Sequence, residues 1–180
     1  MKFKLILILL SIFLFNYWFF HAPAFKADTH EQFLASVNKC IDHINRTNIY
    51  ENTIPKELIL TQAALESSYG QSRFAKKGHN LMGIYMFYNL HKGIKPSEAS
   101  DDIKFRAATF KSECESVSYY IHLLNNKAVY KPFRDERDYQ RKHHINDPYR
   151  YFRIMTMYST NPDYPVLLAG TYQYIKKLGY

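Results

Sequence analysis

Apolar positions along the chain fall into runs whose spacing changes from segment to segment, and those changes mark the elements. Residues 5–20 are almost wholly apolar, follow Lys2 and Lys4, and lead into Ala22-Pro23-Ala24. A positive start, an apolar stretch and small residues in an A-x-A order form the pattern of a secretory signal. The bulk of the run, and Pro23 inside the cleavage motif, leave an uncleaved membrane anchor as the alternative. Residues 1–24 are therefore set apart, and a single domain is expected over 28–180. Within it Phe33, Val37, Cys40, Ile41 and Ile44 recur at helical spacing, and Thr29 with Gln32 makes a capping-box signature. A helix is expected over 30–46, joined by the polar, turn-forming residues 47–53 to a second one.

The second helix opens near Pro55, whose missing N–H costs nothing in a first turn, and runs through good helix formers until Gly70 stops it. Glu66 lies in its last turn. Counted from Ile59, the residues Gln62, Glu66 and Tyr69 share one stripe, bordering the face that carries Leu58 and Leu65. A carboxylate beside the core, near the negative end of a helix and flanked by an aromatic ring, is harder to ionise, which is what a general acid needs near neutral pH. The alternative is a solvated surface glutamate.

Periodicity then changes. Residues 85–88 and 103–110 are short aromatic or β-branched runs separated by Gly93, Pro96, Ser97 and Ser100. They read as a loose hairpin whose long connection holds three acids, Glu98, Asp101 and Asp102. A second helix-start signature at Ser112 to Glu115 precedes Val117, Tyr120, Ile121 and Leu124 at helical spacing, and that helix should end at Asn125-Asn126. Residues 131–142 are dense in charge and read as a solvated helix anchored by Tyr130 and Phe133. After Pro165 the spacing of Leu167, Gly170, Tyr174 and Leu178 predicts a last helix.

Composition narrows the chemistry. A chain of 180 residues is long enough to bury a core unaided. Its formal charge is +8, and setting Lys2 and Lys4 aside leaves 22 basic against 16 acidic residues, or +6. That surface favours anionic partners such as peptide carboxylates of a cell wall or phospholipid headgroups, with a generic basic surface as the alternative. Nucleic acid is not expected as a partner, because no zinc finger or RRM signature accompanies the charge. The eight histidines form no H-E-x-x-H, and the adjacent pair His143-His144 points two ways, so no metal site is expected. Without a P-loop, G-x-G-x-x-G or G-x-S-x-G, no nucleotide, dinucleotide or serine-hydrolase chemistry is expected either, and no cofactor. Cys40 and Cys114 leave two readings open. Two buried free thiols are the expectation; a single disulfide tying the first helix to the later half of the domain is the alternative.

The segment 58–84 carries the most specific signal. Ala64-Leu65-Glu66-Ser67-Ser68-Tyr69-Gly70 is followed by Asn80-Leu81-Met82-Gly83-Ile84. This pair of linked motifs resembles the glucosaminidase domain family of peptidoglycan hydrolases and, within it, the Bax-type periplasmic proteins. In that family the first motif supplies the catalytic glutamate and the second closes the cleft. The order Phe110, Ser112, Ser116, Tyr120, Leu124, Tyr130 continues the resemblance, and Tyr158-Ser159-Thr160-Asn161-Pro162-Asp163-Tyr164 matches a further family segment. Its first aromatic faces the cleft and its second opens the terminal helix.

The resemblance implies a mainly α, lysozyme-like helical domain with a small irregular β-hairpin, and a cleft between the Glu66 helix end and that hairpin. It implies Glu66 as general acid, with substrate contacts expected at Tyr69, Asn80, Tyr85 and Tyr158. Tyr158 is expected to stack on a sugar and to offer its hydroxyl to the N-acetyl group or to Glu66. The second catalytic role has two candidates: an acid of the hairpin, Asp101 or Asp102 ahead of Glu98, or the substrate's own N-acetyl group. The expected function is an exported, periplasmic or cell-envelope glycosidase cutting the glycan strands of peptidoglycan after N-acetylglucosamine. The alternatives are a lytic transglycosylase and a wall-binding module without turnover. Transglycosylases carry a G-L-M-Q-type segment where this chain has Asn80 to Ile84.

Overall fold

The computed structural model describes residues 23–46, 52–87, 90–97, 100 and 102–180. The apolar N-terminal run, Glu98 and Asp101 lie outside them. Among the described residues no helix is long and apolar enough to cross a membrane.

Helix α1, His30–Asn45, starts at Thr29, whose side chain accepts from Gln32 N as the capping signature implies. Its apolar stripe buries Phe33, Leu34, Val37, Cys40 and Ile41. Helix α2, Lys56–Ser67, is the centre of the molecule and packs against α1 and against the last two helices. Leu58, Ile59, Leu60, Thr61, Gln62, Ala63, Ala64 and Ser67 are all buried, so it has no solvated face along most of its length. Its interior hydroxyls are met locally: Thr61 Oγ1 donates to Glu57 O at 2.6 Å and Ser67 Oγ to Ala63 O at 2.5 Å.

A short helix α3, Arg73–Gly78, capped by Ser72, turns the chain into a two-stranded antiparallel wing. Strand β1, Tyr85–Met86, pairs with β2, Arg106–Ala107, in the register Tyr85 to Ala107 and Met86 to Arg106. The expected hairpin is present, though its paired part is only two residues on each side. Helix α4, Glu113–Asn126, begins at Ser112, which accepts from Glu115 N, and ends at the two asparagines. Its stripe Val117, Tyr120, Ile121 and Leu124 is buried.

Helix α5, Lys131–Lys142, is the charged segment, anchored through Phe133. It is less solvated than charge alone implies. Arg137 and Gln140 are buried too, Arg137 Nη1 donating to Asn125 Oδ1 at 2.6 Å and Gln140 exchanging bonds with the backbone of Asp147. Helix α6, Pro148–Ile154, was not anticipated, although Asp147 ahead of Pro148 is a start signal and Asp147 Oδ1 accepts from Tyr149 N. Helix α7, Tyr164–Lys177, follows Asp163. Its buried stripe is Tyr164, Leu168 and Ile175, one position away from the expected Leu167, Gly170, Tyr174 and Leu178; Leu167, Gly170 and Tyr174 face solvent. In a short helix apolar on several sides, the face that docks is chosen by the partner, here Tyr149 and Phe152 of α6 against Tyr172.

Cys40 and Cys114 form a disulfide between α1 and α4, which overturns the expectation of free thiols. The helices that carry them pack side by side, so the two Cα atoms stand 5.0 Å apart. The bond closes a long loop, with a sequence separation of 74 residues. Cys40→Ser is expected to cost about 3 kcal/mol through the gained freedom of the unfolded chain, a fall in Tm of about 10 °C. Thermal melts of the variant, and of wild type with and without reductant, check it; unchanged melting under reduction would show that the bond contributes nothing.

Candidate active site

The end of α2 explains how Glu66 is presented. Ser68 and Tyr69 adopt left-handed conformations, φ 50° and 54°, and Gly70 follows at φ 81°. Two successive non-glycine residues in that region are a costly way to end a helix. Tyr69 N donates to Ala64 O and Ser72 N to Ser67 O, which holds the turn. The reversal swings Tyr69 off the Glu66 stripe. Its ring stacks on His30, with centroids 3.8 Å apart, and meets Phe33 and Tyr174 edge-on. Tyr69, expected as a substrate contact beside the acid, is therefore packed against α1 and α7, and burial lifts its phenol to about 12.

Glu66 itself is partly buried and is held by two contacts. Tyr164, the first residue of α7, donates its hydroxyl to Glu66 Oε1 at 2.6 Å. On the other side the backbone of Gly83 runs against Oε2: a methyl group built at Gly83 would stand 2.7 Å from that oxygen. Gly83 also has φ +63°, so this glycine is required both for its backbone and for the space it leaves the acid. Burial pushes the Glu66 carboxyl above the usual range, and the hydrogen bond from Tyr164 pulls part of the way back. The phenols around it stay protonated, because burial raises Tyr158 and Tyr120 well above 10, and burial, followed by the nearby carboxylate, raises Tyr164 as well.

The other expected residues fall differently. Tyr158 is near the acid, its ring nearly parallel to that of Tyr164 with centroids 6.2 Å apart. Its hydroxyl, however, donates to Met82 O. The phenol expected to reach Glu66 from Tyr158 comes from Tyr164 instead, and Tyr158 pins the segment leading to Gly83. Asn80 is buried and fully engaged: Nδ2 donates to Ile84 O at 2.8 Å and Ala108 O at 3.0 Å, and Oδ1 accepts from Ile84 N at 3.0 Å. Its amide clamps the turn to the wing from a buried position. Tyr85 is exposed on the wing, edge-on to Phe105 at 5.0 Å, with Phe87 also exposed nearby. Asp102 is exposed and accepts from Ser100. That bond, ahead of its own backbone contact, holds the Asp102 carboxyl below the usual range.

Two residues were not expected to matter. The sequence marks Tyr164 as the opening of the last helix and Gln62 as a member of the Glu66 stripe, and neither as a partner of the acid. Gln62 is fully buried, donates through Nε2 to Tyr164 Oη at 2.9 Å and accepts from Tyr120 OH. Their signal was a polar side chain on a helix buried on every side, legible only once the burial is known. Among the described residues no three His, Cys, Asp or Glu side chains converge to hold a metal ion.

The frame is helical around one central helix, which ends in a half-buried acid under a phenol. Residues 42–177 match the Glucosaminidase family, described as mannosyl-glycoprotein endo-beta-N-acetylglucosaminidase, and the chain belongs to that family. Protein bax of Escherichia coli (strain K12) is 36% identical over 89 residues, which are 49% of this chain and 30% of that protein, so the match spans less than a third of the relative's length. Among solved structures, a C-terminally truncated glycoside hydrolase domain from Salmonella typhimurium FlgJ shares the fold with a TM-score of 0.56 at 19% identity, covering 83% of this chain and 99% of that one.

Two stability experiments probe the site. Gly83→Ala is expected to cost about 2 kcal/mol in urea denaturation, from strain at positive φ and the collision with Glu66. Gly170→Ala, on the exposed side of α7 with nothing within 4 Å of the added methyl, should instead stabilise by about 1 kcal/mol. The sign reversal is the diagnostic. Glu66 binds its proton more tightly folded than unfolded, so its contribution is complete below the unfolded value and is lost as pH rises through the folded one. Glu66→Gln should therefore be more stable than wild type at pH 8, with the gap closing toward pH 4. Equal stability at both pH values would show that the carboxyl is not perturbed.

Proposed function

We propose that the protein is an exported glycosidase that cuts peptidoglycan glycan strands at β-N-acetylglucosaminyl bonds, with Glu66 as the general acid. The observation that carries the reading is the Glu66 carboxyl, lifted by burial and held on one oxygen by Tyr164. A carboxylic acid whose burial favours the protonated form delivers its proton to the glycosidic oxygen as the C–O bond breaks. The electron pair of that bond leaves with the oxygen, and the sugar carbon becomes oxocarbenium-like. Water then adds to that carbon, and its proton returns to the carboxylate left at Glu66. The hydrogen bond from Tyr164 strengthens as negative charge develops on the acid, which favours the proton transfer.

For the opposite face of the sugar the two candidates stand as before. Asp101 or Asp102 would activate the water and take its proton in place of Glu66, or the N-acetyl oxygen of the substrate would attack first. The substrate-assisted route needs no second carboxylate beside Glu66. The exposed rings of Tyr85 and Phe87 suit an extended glycan lying across the wing. Export is supported by the positive and apolar N-terminus and by the Cys40–Cys114 bond, which persists in oxidising compartments. The same N-terminal segment offers membrane association if it stays attached.

Isolated cell-wall sacculi provide the test. Glu66→Gln should release soluble fragments at least about a hundredfold more slowly than wild type, and release at the wild-type rate would remove Glu66 from the acid role. Mass spectra should show reducing-end N-acetylglucosamine. Anhydro-muramyl ends would make the protein a lytic transglycosylase instead, and sacculus binding without release would make it a wall-binding module.

A further inference from the structure

Three hydrogen bonds run in series behind Glu66. Tyr120 OH donates to Gln62 Oε1, Gln62 Nε2 donates to Tyr164 Oη at 2.9 Å, and Tyr164 OH donates to Glu66 Oε1 at 2.6 Å. We propose that Gln62 and Tyr120 are positioning residues that fix the direction of this chain, so that Glu66 carries its proton on Oε2, the oxygen beside Gly83, which no hydrogen bond among the described residues claims. The inference rests on Glu66 acting as the acid of the proposed hydrolase.

The direction follows from the buried end of the chain. Were the Glu66 proton on Oε1, that oxygen would donate to Tyr164, whose own hydrogen would turn toward Gln62. The Gln62 amide would then present Oε1 to Tyr164 and Nε2 to Tyr120. Tyr120 would be left with a hydroxyl hydrogen and nothing to receive it, because it is fully buried and, among the described residues, Gln62 is its one hydrogen-bond partner. Folded proteins avoid a buried donor without an acceptor. The dead end at Tyr120 therefore settles the orientation of the amide, the amide sets the Tyr164 hydroxyl, and the hydroxyl claims Oε1. Each link lies on a different element: Tyr120 on α4, Gln62 on α2, Tyr164 on α7.

Among the described residues, three phenols feel the Glu66 charge: Tyr120 from α4, Tyr158 from the segment after α6, and Tyr164 from α7. Tyr130 lies in the same aromatic layer, 6.3 Å from Tyr158, and sits outside the series.

The experiment uses the protein labelled with carbon-13 at the glutamate side-chain carboxyl, the Glu66 signal being assigned by its loss in Glu66→Gln. Tyr120→Phe frees the amide to turn, and the Tyr164 hydrogen is then shared with Gln62 Oε1. Glu66 loses part of the bond that favours its ionised form, so its titration should move to higher pH. The alkaline limb of the sacculus-digestion rate should move the same way, with kcat down about tenfold, the kinetic weight of one ordinary hydrogen bond, and KM within about twofold. Gln62→Met should give the same displacement, and it decides the matter if Tyr120→Phe does not fold. Tyr130→Phe, an equal loss from the same layer, should leave the Glu66 titration where it is. An unmoved titration in a folded Tyr120→Phe or Gln62→Met protein, or an equal movement in Tyr130→Phe, overturns the proposal. Wild type inert on sacculi with the titration displaced in Tyr120→Phe would refute the hydrolase reading and still support the chain.

Discussion

The site depends on the burial of α2. A helix wrapped on nearly every side can end beside the core only if its last polar groups find partners there, and Glu66 is the one ionisable group in its final turn. Its partners are a phenol on one oxygen and a glycine backbone against the other. Removing water raises the proton affinity of the acid, and Tyr164 limits how far. Burial makes the acid costly to ionise, and the contacts made there give it a defined orientation.

Much of the surrounding structure serves to hold those contacts. Tyr158 fixes Met82 O, Ser116 Oγ accepts from Leu81 N, and Asn80 ties Ile84 to Ala108, so the approach to Gly83 is fastened on three sides. Helix α4 supplies both Ser116 and Tyr120, and the disulfide ties that helix to α1. The covalent bond thus lies in the frame of the site, well connected to the acid through α4. Buried tyrosines form a layer between these elements, each ring contributing apolar area and a hydroxyl that must be met.

The wing is built differently. It has two paired residues on each strand, and its aromatic side chains Tyr85 and Phe87 face outward. Polar contacts to backbone hold its base, through Asn80 and through Thr109 to Lys92 O. Rigid acid and exposed aromatic surface are thereby carried by separate parts of one fold.

The sequence by itself determined the local features. Capping by Thr29 and Ser112, the stripe of α1, the stop near Gly70 and the hairpin after Ile84 are decided within a few residues, where backbone chemistry acts. The position of Glu66 in a final helical turn was equally plain. What only the tertiary structure decided is which side chains meet. The left-handed turn at Ser68 and Tyr69 sends Tyr69 to His30 instead of the acid, and nothing in its helical spacing carries that reversal. Whether a tyrosine's hydroxyl serves the acid or a carbonyl depends on where distant helices dock, which is why the contact with Glu66 expected of Tyr158 is made by Tyr164. Cysteines 40 and 114 pair for the same reason: two helices far apart in sequence pack together, and proximity of that kind is a property of the assembled core.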